Sequence, residues 1–377
     1  MENKDYMAEK DYKKYSGLVD KMSPHARRNL VLTCIFFIVL CAFLYVLQGG
    51  SLFDNYIQRI IKLGSIYAIC ALSLNLLQGY TGQFSLGSAG FLCVGAYVTG
   101  ILSMPDATRQ KVYYLKPMAE WLTKIHLPFP LALLLGGILA GCVAFLIGFP
   151  VLRLKGDYLS VATLGFSEII RILFVNLQTV TNGATGLKDI DGSANAYWTF
   201  GVLILVLIFM SRLFKSSYGR AFMAIRDDEI AAEAMGVSLF KHKMIAFITS
   251  AVIAGLAGGL MASVLGAVTP VLFKHTLSYD ILLVMVLGGV GTMTGSVLGG
   301  FIFIIVRELL RFMDNGFSLF GINVPGVAGL RMVAFSVALM VVVLFYNKGL
   351  SGGKEFSWNR LLFFLDKKDK KEAGGAK

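Results

Sequence analysis

Charge is what this sequence has least of. Asp, Glu, Lys and Arg make up 15% of its 377 residues and hydrophobic residues 56%, whereas soluble domains carry about 25% charged residues. That balance excludes a soluble globular protein. Acidic residues are the scarcer sign, 23 against 35 basic ones, for a net charge of +12. Such an excess could signal nucleic acid, but no aromatic-and-basic surface pattern accompanies it. Basic residues retained at the cytoplasmic ends of membrane segments account for it.

Paired thiols and histidine clusters are missing as well. Cys34, Cys41, Cys70, Cys93 and Cys142 each lie inside an apolar run, odd in number and without a Cys-x-x-Cys. They read as small buried hydrophobes, which excludes a disulfide framework and a thiolate metal site. His25, His126, His242 and His275 are far apart in sequence, so no metal-ligand spacing exists. There is no Gly-x-x-x-x-Gly-Lys-Ser/Thr, and Gly183-Ala-Thr-Gly-Leu-Lys188 lacks the spacing of a phosphate-binding loop. The chain is therefore expected neither to bind nor to hydrolyse ATP, and no catalytic residue is expected in it.

What is present is a series of apolar runs near the length of about 20 residues that crosses a bilayer. Residues 1–29 carry mixed charge and end in Arg27-Arg28. They read as a retained cytoplasmic tail, unlike a cleaved signal with its short basic start. Residues 30–346 read as one membrane domain, with spans expected at 30–47, 57–77, 129–149, 158–177, 199–214, 244–268 and 331–346. Residues 105–128 read as a polar loop, and 347–377 as a basic cytoplasmic tail. Within 244–268, Ala251, Gly255 and Gly259 recur every four residues, which predicts tight packing against a neighbouring helix.

Two glycine-rich stretches interrupt the pattern. In the first, Gly79, Gly82, Gly87 and Gly90 weaken helix formation, while Thr81, Ser85, Ala89 and Cys93 put small groups four residues apart. One reading is a close-packed helix interface. The other is a broken hairpin lining a pathway, because irregular backbone at membrane depth needs protein or a watery cavity to satisfy it. The second stretch echoes the first: Gly79-Tyr-Thr-Gly-Gln-Phe-Ser-Leu-Gly87 against Gly291-Thr-Met-Thr-Gly-Ser-Val-Leu-Gly299. Read alone it is one long helix with a seam at Gly291, Gly295 and Gly299. With both tails cytoplasmic the number of crossings must be even, and splitting 278–306 near Thr292 makes it so, at about ten. The half-helix 281–291 would then be roughly 16 Å long, too short to span.

Paired glycine interruptions in two halves of a chain point to a transporter's binding or conduction site. The candidate pathway residues are therefore Gly79, Gly82, Gln83, Ser85, Gly87, Gly288, Gly289, Gly291 and Thr292. Glu168 and Arg171 join them: three residues apart, they can pair on one helix face. They serve either as a neutralised structural pair or as cavity-facing groups. The expected fold class is all-α, a polytopic membrane protein with glycine-broken helices and pseudo-repeated halves.

Between the spans, residues 215–243 hold the densest internal charge. Arg226-Asp-Asp-Glu229 precedes Ile230-Ala-Ala-Glu-Ala-Met-Gly236, with acids suited to a helix start and Gly236 suited to its end. It is either a solvated loop helix or a docking helix. As the latter, Ile225, Ile230, Ala231, Met235 and Val237 would present apolar surface to a partner's groove.

Taken together, these motifs are similar to the permease subunits of ABC importers for branched-chain amino acids, of the LivM type. The resemblance runs from about Leu63 to Gly349. Besides the two glycine stretches it is carried by Gly156-Asp-Tyr-Leu159, Leu164-Gly-Phe-Ser-Glu-Ile-Ile-Arg171, Thr181-Asn-Gly-Ala-Thr-Gly-Leu187 and 220–236. It implies that 215–243 is the coupling loop, similar to the EAA loop of importers, with Arg226, Asp227, Asp228, Glu229, Ala231, Ala232, Glu233 and Gly236 in it. Ile230 stands where that pattern has its leading Glu. The resemblance also implies two ATPase subunits that bind ATP and Mg, a second related permease (a heterodimer), and an extracytoplasmic solute-binding protein. It implies a multi-pass place among the lipids of a bacterial cytoplasmic (inner) membrane, and transport of leucine, isoleucine and valine. Competing readings are a same-family permease for urea or a short-chain amide, an ion-coupled secondary transporter using Glu168 and Arg171, and a channel, which would need no partner at 217–243.

Overall fold

A computed structural model describes residues 38–48 and 54–313, apart from 114–115, 124, 155 and 191–193, with short pieces at 317–319, 322–324, 333, 335–337, 340, 349–352 and 355. The tail expected at 1–29 lies outside the described residues, as do most of the span expected at 331–346 and most of the tail at 347–377. The chain divides into two units, residues 1–52 with 356–377, and residues 53–355. The first contains the apolar helix α1 (Ile38–Gln48).

The second unit is helical nearly throughout. Helix α2 (Asn55–Asn75) continues into a π-turn, Leu76–Tyr80, and α3 (Ser88–Ser103) follows after an irregular segment. Then come α4 (Phe129–Val151), α5 (Asp157–Asn176), α6 (Ala196–Lys215), α7 (Ser217–Asp227), α8 (Glu229–Ala234), α9 (Leu239–Leu265), α10 (His275–Gly288) and α11 (Met293–Leu309). Five helical stretches are long and apolar enough to cross a membrane: Asn55–Tyr80, Phe129–Val151, Tyr158–Asn176, Ala196–Lys215 and Leu239–Leu265. Two antiparallel strand pairs are also present, β1 (Leu187–Lys188) with β2 (Ala267–Val268), and β3 (Phe317–Leu319) with β4 (Ile322–Val324).

Small residues decide how the helices meet. Helices α3, α4 and α9 form a tight layer: a Cβ at Gly95 would run into the backbone of Gly255, and one at Gly258 into that of Leu92. Gly255 also faces Gly137 and Ala140 of α4, and Gly259 faces Thr99 and Leu133. The seam expected from Ala251, Gly255 and Gly259 is therefore a packing surface, where the absence of side chains lets backbones approach. Helix α2 lies antiparallel to α11, with Gly300 on Ala68 and Phe301 over Gly64. It is tied to α9 by Ser73 and Ser250, whose hydroxyls each donate to the other's carbonyl at 2.8 Å.

At one end the connections form an ordered cap. The segment read as a polar loop, 105–128, contains two short helices, Asp106–Val112 and Glu120–Thr123. The reason is Arg109, whose buried guanidinium donates to the carbonyls of Ile101 (3.1 Å), Thr123 (3.0 Å) and Ile125 (2.6 Å). The guanidinium thereby gives those carbonyls a donor where an unpaired polar group would be costly. Asn182, in the left-handed conformation, donates to Val112 and Gly186 carbonyls, and Tyr113 donates to the Val180 carbonyl. Burial pushes the Tyr113 phenol upward from its usual range. Among the cysteines, Cys70 and Cys93 are buried, but Cys41 and Cys142 are exposed. An apolar run in a membrane-type helix has an outward face too, so membership of the run did not predict burial.

Candidate functional site

The end opposite that cap gathers both glycine stretches and the charged segment. The first stretch is not one helix: α2 gives way to the π-turn, residues 82–87 are irregular, and α3 starts at Ser88. A single seam through Thr81, Ser85, Ala89 and Cys93 therefore does not form. Gly82 takes φ +72°, a left-handed geometry that a side chain would strain. Gln83, Ser85 and Gly87 are buried, with Gly82 exposed before them and Phe84 exposed between Gln83 and Ser85. Leu86 donates to Thr163 Oγ1 of α5 at 3.1 Å.

The second stretch is likewise two helices. α10 and α11 fold back on each other, Gly295 against Gly288 and Gly299 against Val284. The turn between them passes through Gly289 (φ +119°) and Gly291 (φ +78°). Gly79 and Gly291, the glycines that open the two echoing motifs, stand face to face; a Cβ on Gly79 would strike the Gly291 nitrogen. Asn75 joins them. Its Oδ1 accepts from Gly291 N, and its Nδ2 donates to Thr292 O and Ser296 Oγ, all at 2.8 Å.

Asn75 was not among the sequence candidates, although a carboxamide inside the apolar run 57–77 was a signal, since polar groups in spans are rare and purposeful. Also missed was the segment at 349–355. Leu350 and Ser351 donate to Leu287 and Gly288 carbonyls, and the Glu355 carboxylate takes the Met293 N–H at 2.6 Å and the Tyr80 hydroxyl at 3.0 Å. A carboxylate at a helix start is favoured by the helix dipole, but local pattern could not place residues 349–352 and 355 of the tail there.

Glu168 and Arg171 do pair, with Arg171 Nε donating to Glu168 Oε1 at 2.8 Å. They sit along α5, both partly exposed, and among the described residues no hydrogen bond joins them to the Gly79–Gly291 cluster. A second pair, Arg307 with Asp280 at 3.4 Å, links α10 and α11 near Tyr67.

The charged segment folds as two helices. Ser216 caps α7, and Asp228 caps α8 by accepting from Ile230 N (2.8 Å) and Ala231 N (3.0 Å). Gly236 (φ +85°) ends α8, with Gly236 N bonded to Glu233 O and Val237 N to Ala232 O, a paired closure that glycine permits. Three of the four candidate acids are engaged within the chain. Asp227 holds Arg226, Asp228 is the cap, and Glu229 pairs with Lys243 of α9 at 2.5 Å. Ile225, expected at the surface, is only 1% exposed, because it lies on the inner face of α7 with Phe222. Ile230 (82%) and Met235 (84%) are exposed, as are Ala231 and Glu233, whereas Ala232 is buried.

Because the cap closes two N–H groups at once, Asp228→Ala should destabilise α8 by about 1 kcal/mol and speed amide exchange at Ile230 and Ala231. Asp228→Ser should largely retain protection, and equal exchange in both variants would rule out the cap.

Residues 56–347 match the family described as "Branched-chain amino acid transport system / permease component". The chain belongs to this family. It is similar to the high-affinity branched-chain amino acid transport system permease protein LivM of Escherichia coli strain K12, 34% identical over 245 residues, 56% of this chain and 53% of that protein. It is also similar to the probable branched-chain amino acid transport permease proteins LivM and LivH of Methanocaldococcus jannaschii, at 26% and 23% identity over 55% and 57% of this chain, and 67% and 65% of theirs. The chain spans about half the length of the first of these relatives, the Escherichia coli protein. No solved structure matches it. Within the permease-component family, what this member shows is one polar cluster that joins both glycine stretches to α7 and α8.

Proposed function

We propose that the chain is the permease subunit of an ABC importer that moves branched-chain amino acids across the cytoplasmic membrane. ATP is hydrolysed in two partner ATPase subunits. A second, related permease and an extracytoplasmic binding protein complete the assembly. In this reading the two glycine interruptions are broken helices in pseudo-repeated halves, about ten segments cross the membrane, and both termini are cytoplasmic.

The observation that carries the reading is the exposed side of α8 and its closing turn, with Ile230, Ala231, Glu233 and Met235, following directly on Arg226, which reaches the first interruption. Apolar side chains exposed among the described residues, Ile230 and Met235, on a charged end suit a partner's groove. The docking contacts are accordingly assigned to this face, and Asp227, Asp228 and Glu229 to holding its shape. The exposed part of the first stretch, Gly82 with Phe84, and the turn at Gly289–Gly291 are assigned to the pathway, with Gln83, Ser85, Gly87, Gly288 and Thr292 supporting them.

Replacing both Ile230 and Met235 by Glu tests this. The ATPase subunits should no longer co-purify, and ATP-dependent uptake of labelled leucine should fall by at least about tenfold, as loss of a central apolar anchor pair implies. The variant permease should itself stay folded. Undiminished co-purification would sink the docking assignment, and uptake of urea in place of leucine would overturn the substrate.

A further inference from the structure

Arg226 lies in the last turn of α7, partly exposed, with one guanidinium nitrogen turned onto the first interruption. Its Nε and Nη2 hold Asp227 Oδ1 at 3.0 and 2.9 Å, which fixes the guanidinium plane, and Nη1 donates to the Gly79 carbonyl at 3.0 Å. The approach is close because Gly82 has no side chain: a Cβ there would lie 3.2 Å from Arg226 Cα. Gly79 backs directly onto the Asn75 carboxamide and Gly291, and Asn75 holds Gly291 N and Thr292 O. A hydrogen bond therefore leads from the helix pair α7–α8 through Arg226 to the first interruption, where Gly79 packs on Asn75, and the hydrogen bonds of Asn75 lead on to the second.

We propose that Arg226 is the positioning residue that makes the two interruptions move as one with α7–α8, a role that rests on the importer reading above. Displacement of the helix pair pulls on the Gly79 carbonyl, and Asn75 passes the shift to Gly291 and Thr292. The planar fork matters, because it binds Asp227 with two nitrogens while a third reaches the carbonyl. A lysine ammonium has no such fixed geometry.

Hydrogen exchange on the full-length chain reads the tie without any transport. In Arg226→Gln, amide exchange at Gly291 and at 79–83 should quicken by at least about tenfold, the scale of a lost charged hydrogen bond. Faster exchange confined to α7 and α8 would overturn the tie.

The second measurement uses the assembled transporter in proteoliposomes, with leucine uptake and ATP hydrolysis followed together. Arg226→Gln and Arg226→Lys should still co-purify with the ATPases, while leucine moved per ATP falls by at least about tenfold for Gln and less for Lys. An unchanged ratio, or release of the ATPases, overturns the proposal. A wild-type assembly that takes up no leucine with ATP would instead defeat the importer reading, and the exchange result would still decide the tie.

Discussion

Gly95→Leu is expected to leave no folded permease domain, and Gly95→Ala to lower the melting temperature in detergent by roughly 5–10 °C. The side chain at this position would meet the carbonyl, carbon and Cα of Gly255. Each is backbone of α9, so no rotamer change relieves the overlap. The helices would have to separate, and their separation would be felt at the reciprocal contact of Gly258 on Leu92 and at the approach of Gly136 to the Gly95 carbonyl. Overpacking of a well-fitted core costs about 1–3 kcal/mol and more where nothing can yield. In a helix bundle held by close packing the loss falls directly on helix association. Gly201→Ala is the control, since nothing lies within 4 Å of that site. It should melt with the wild type or slightly above it. If Gly95→Ala did the same, the close α3–α9 contact would be wrong.

Asn75→Leu should be the most damaging single change near the interruptions. Asn75 is wholly buried. Its replacement leaves the Gly291 N–H without its acceptor and takes a donor from both Thr292 O and Ser296 Oγ. Thr292 O keeps the Ser296 amide and hydroxyl, so the principal loss is at Gly291. A buried donor left unmade costs about 1–3 kcal/mol; the Gly291 N–H is only partly buried, which lowers that cost, while the shared network raises the cost of losing its central member. We expect a loss of about 1–3 kcal/mol, read as a lower melting temperature together with faster exchange at the 289–292 turn. Asn75→Asp keeps an acceptor for Gly291 but offers Thr292 O no N–H, and should fall between the two. Ser65→Ala, which removes only a local bond to the Lys62 carbonyl, should change little. A wild-type melting curve for Asn75→Leu would show that Asn75 does not hold the turn.

Comparison of these two sites shows where local pattern was sufficient. Gly255 and Gly259 announced a packing seam through their spacing, because a helix repeats every 3.6 residues or so and sequence distance maps onto one face. Its partner, Gly95 on α3, had no such announcement. Helix boundaries were equally legible: apolar run length and capping chemistry act within a few residues, and Gly236 closes α8 as a glycine in that position predicts. Ile225 was misjudged because only packing tells which face of α7 turns inward, where it joins Phe222.

The acids of the charged segment show the limit most directly. Asp227, Asp228 and Glu229 look alike as a run, yet one holds Arg226, one caps α8 and one pairs with Lys243. A partner fourteen positions away along the chain leaves no mark on local charge pattern. The echo between 79–87 and 291–299 lay in the sequence, but that its two opening glycines touch could not be read there, since they are brought together by the antiparallel course of α2 and α11.

By itself, then, the sequence determined helical class, membrane-type composition, the place of the two glycine-rich stretches and the motifs of its family, all of which rest on short-range periodicity and residue chemistry. Only the tertiary structure decided that Asn75 and Arg226 are the joints between them. Hydrogen bonds spanning 147 to 221 positions form when distant helices meet, and which helices meet is set by the close approach of their glycines.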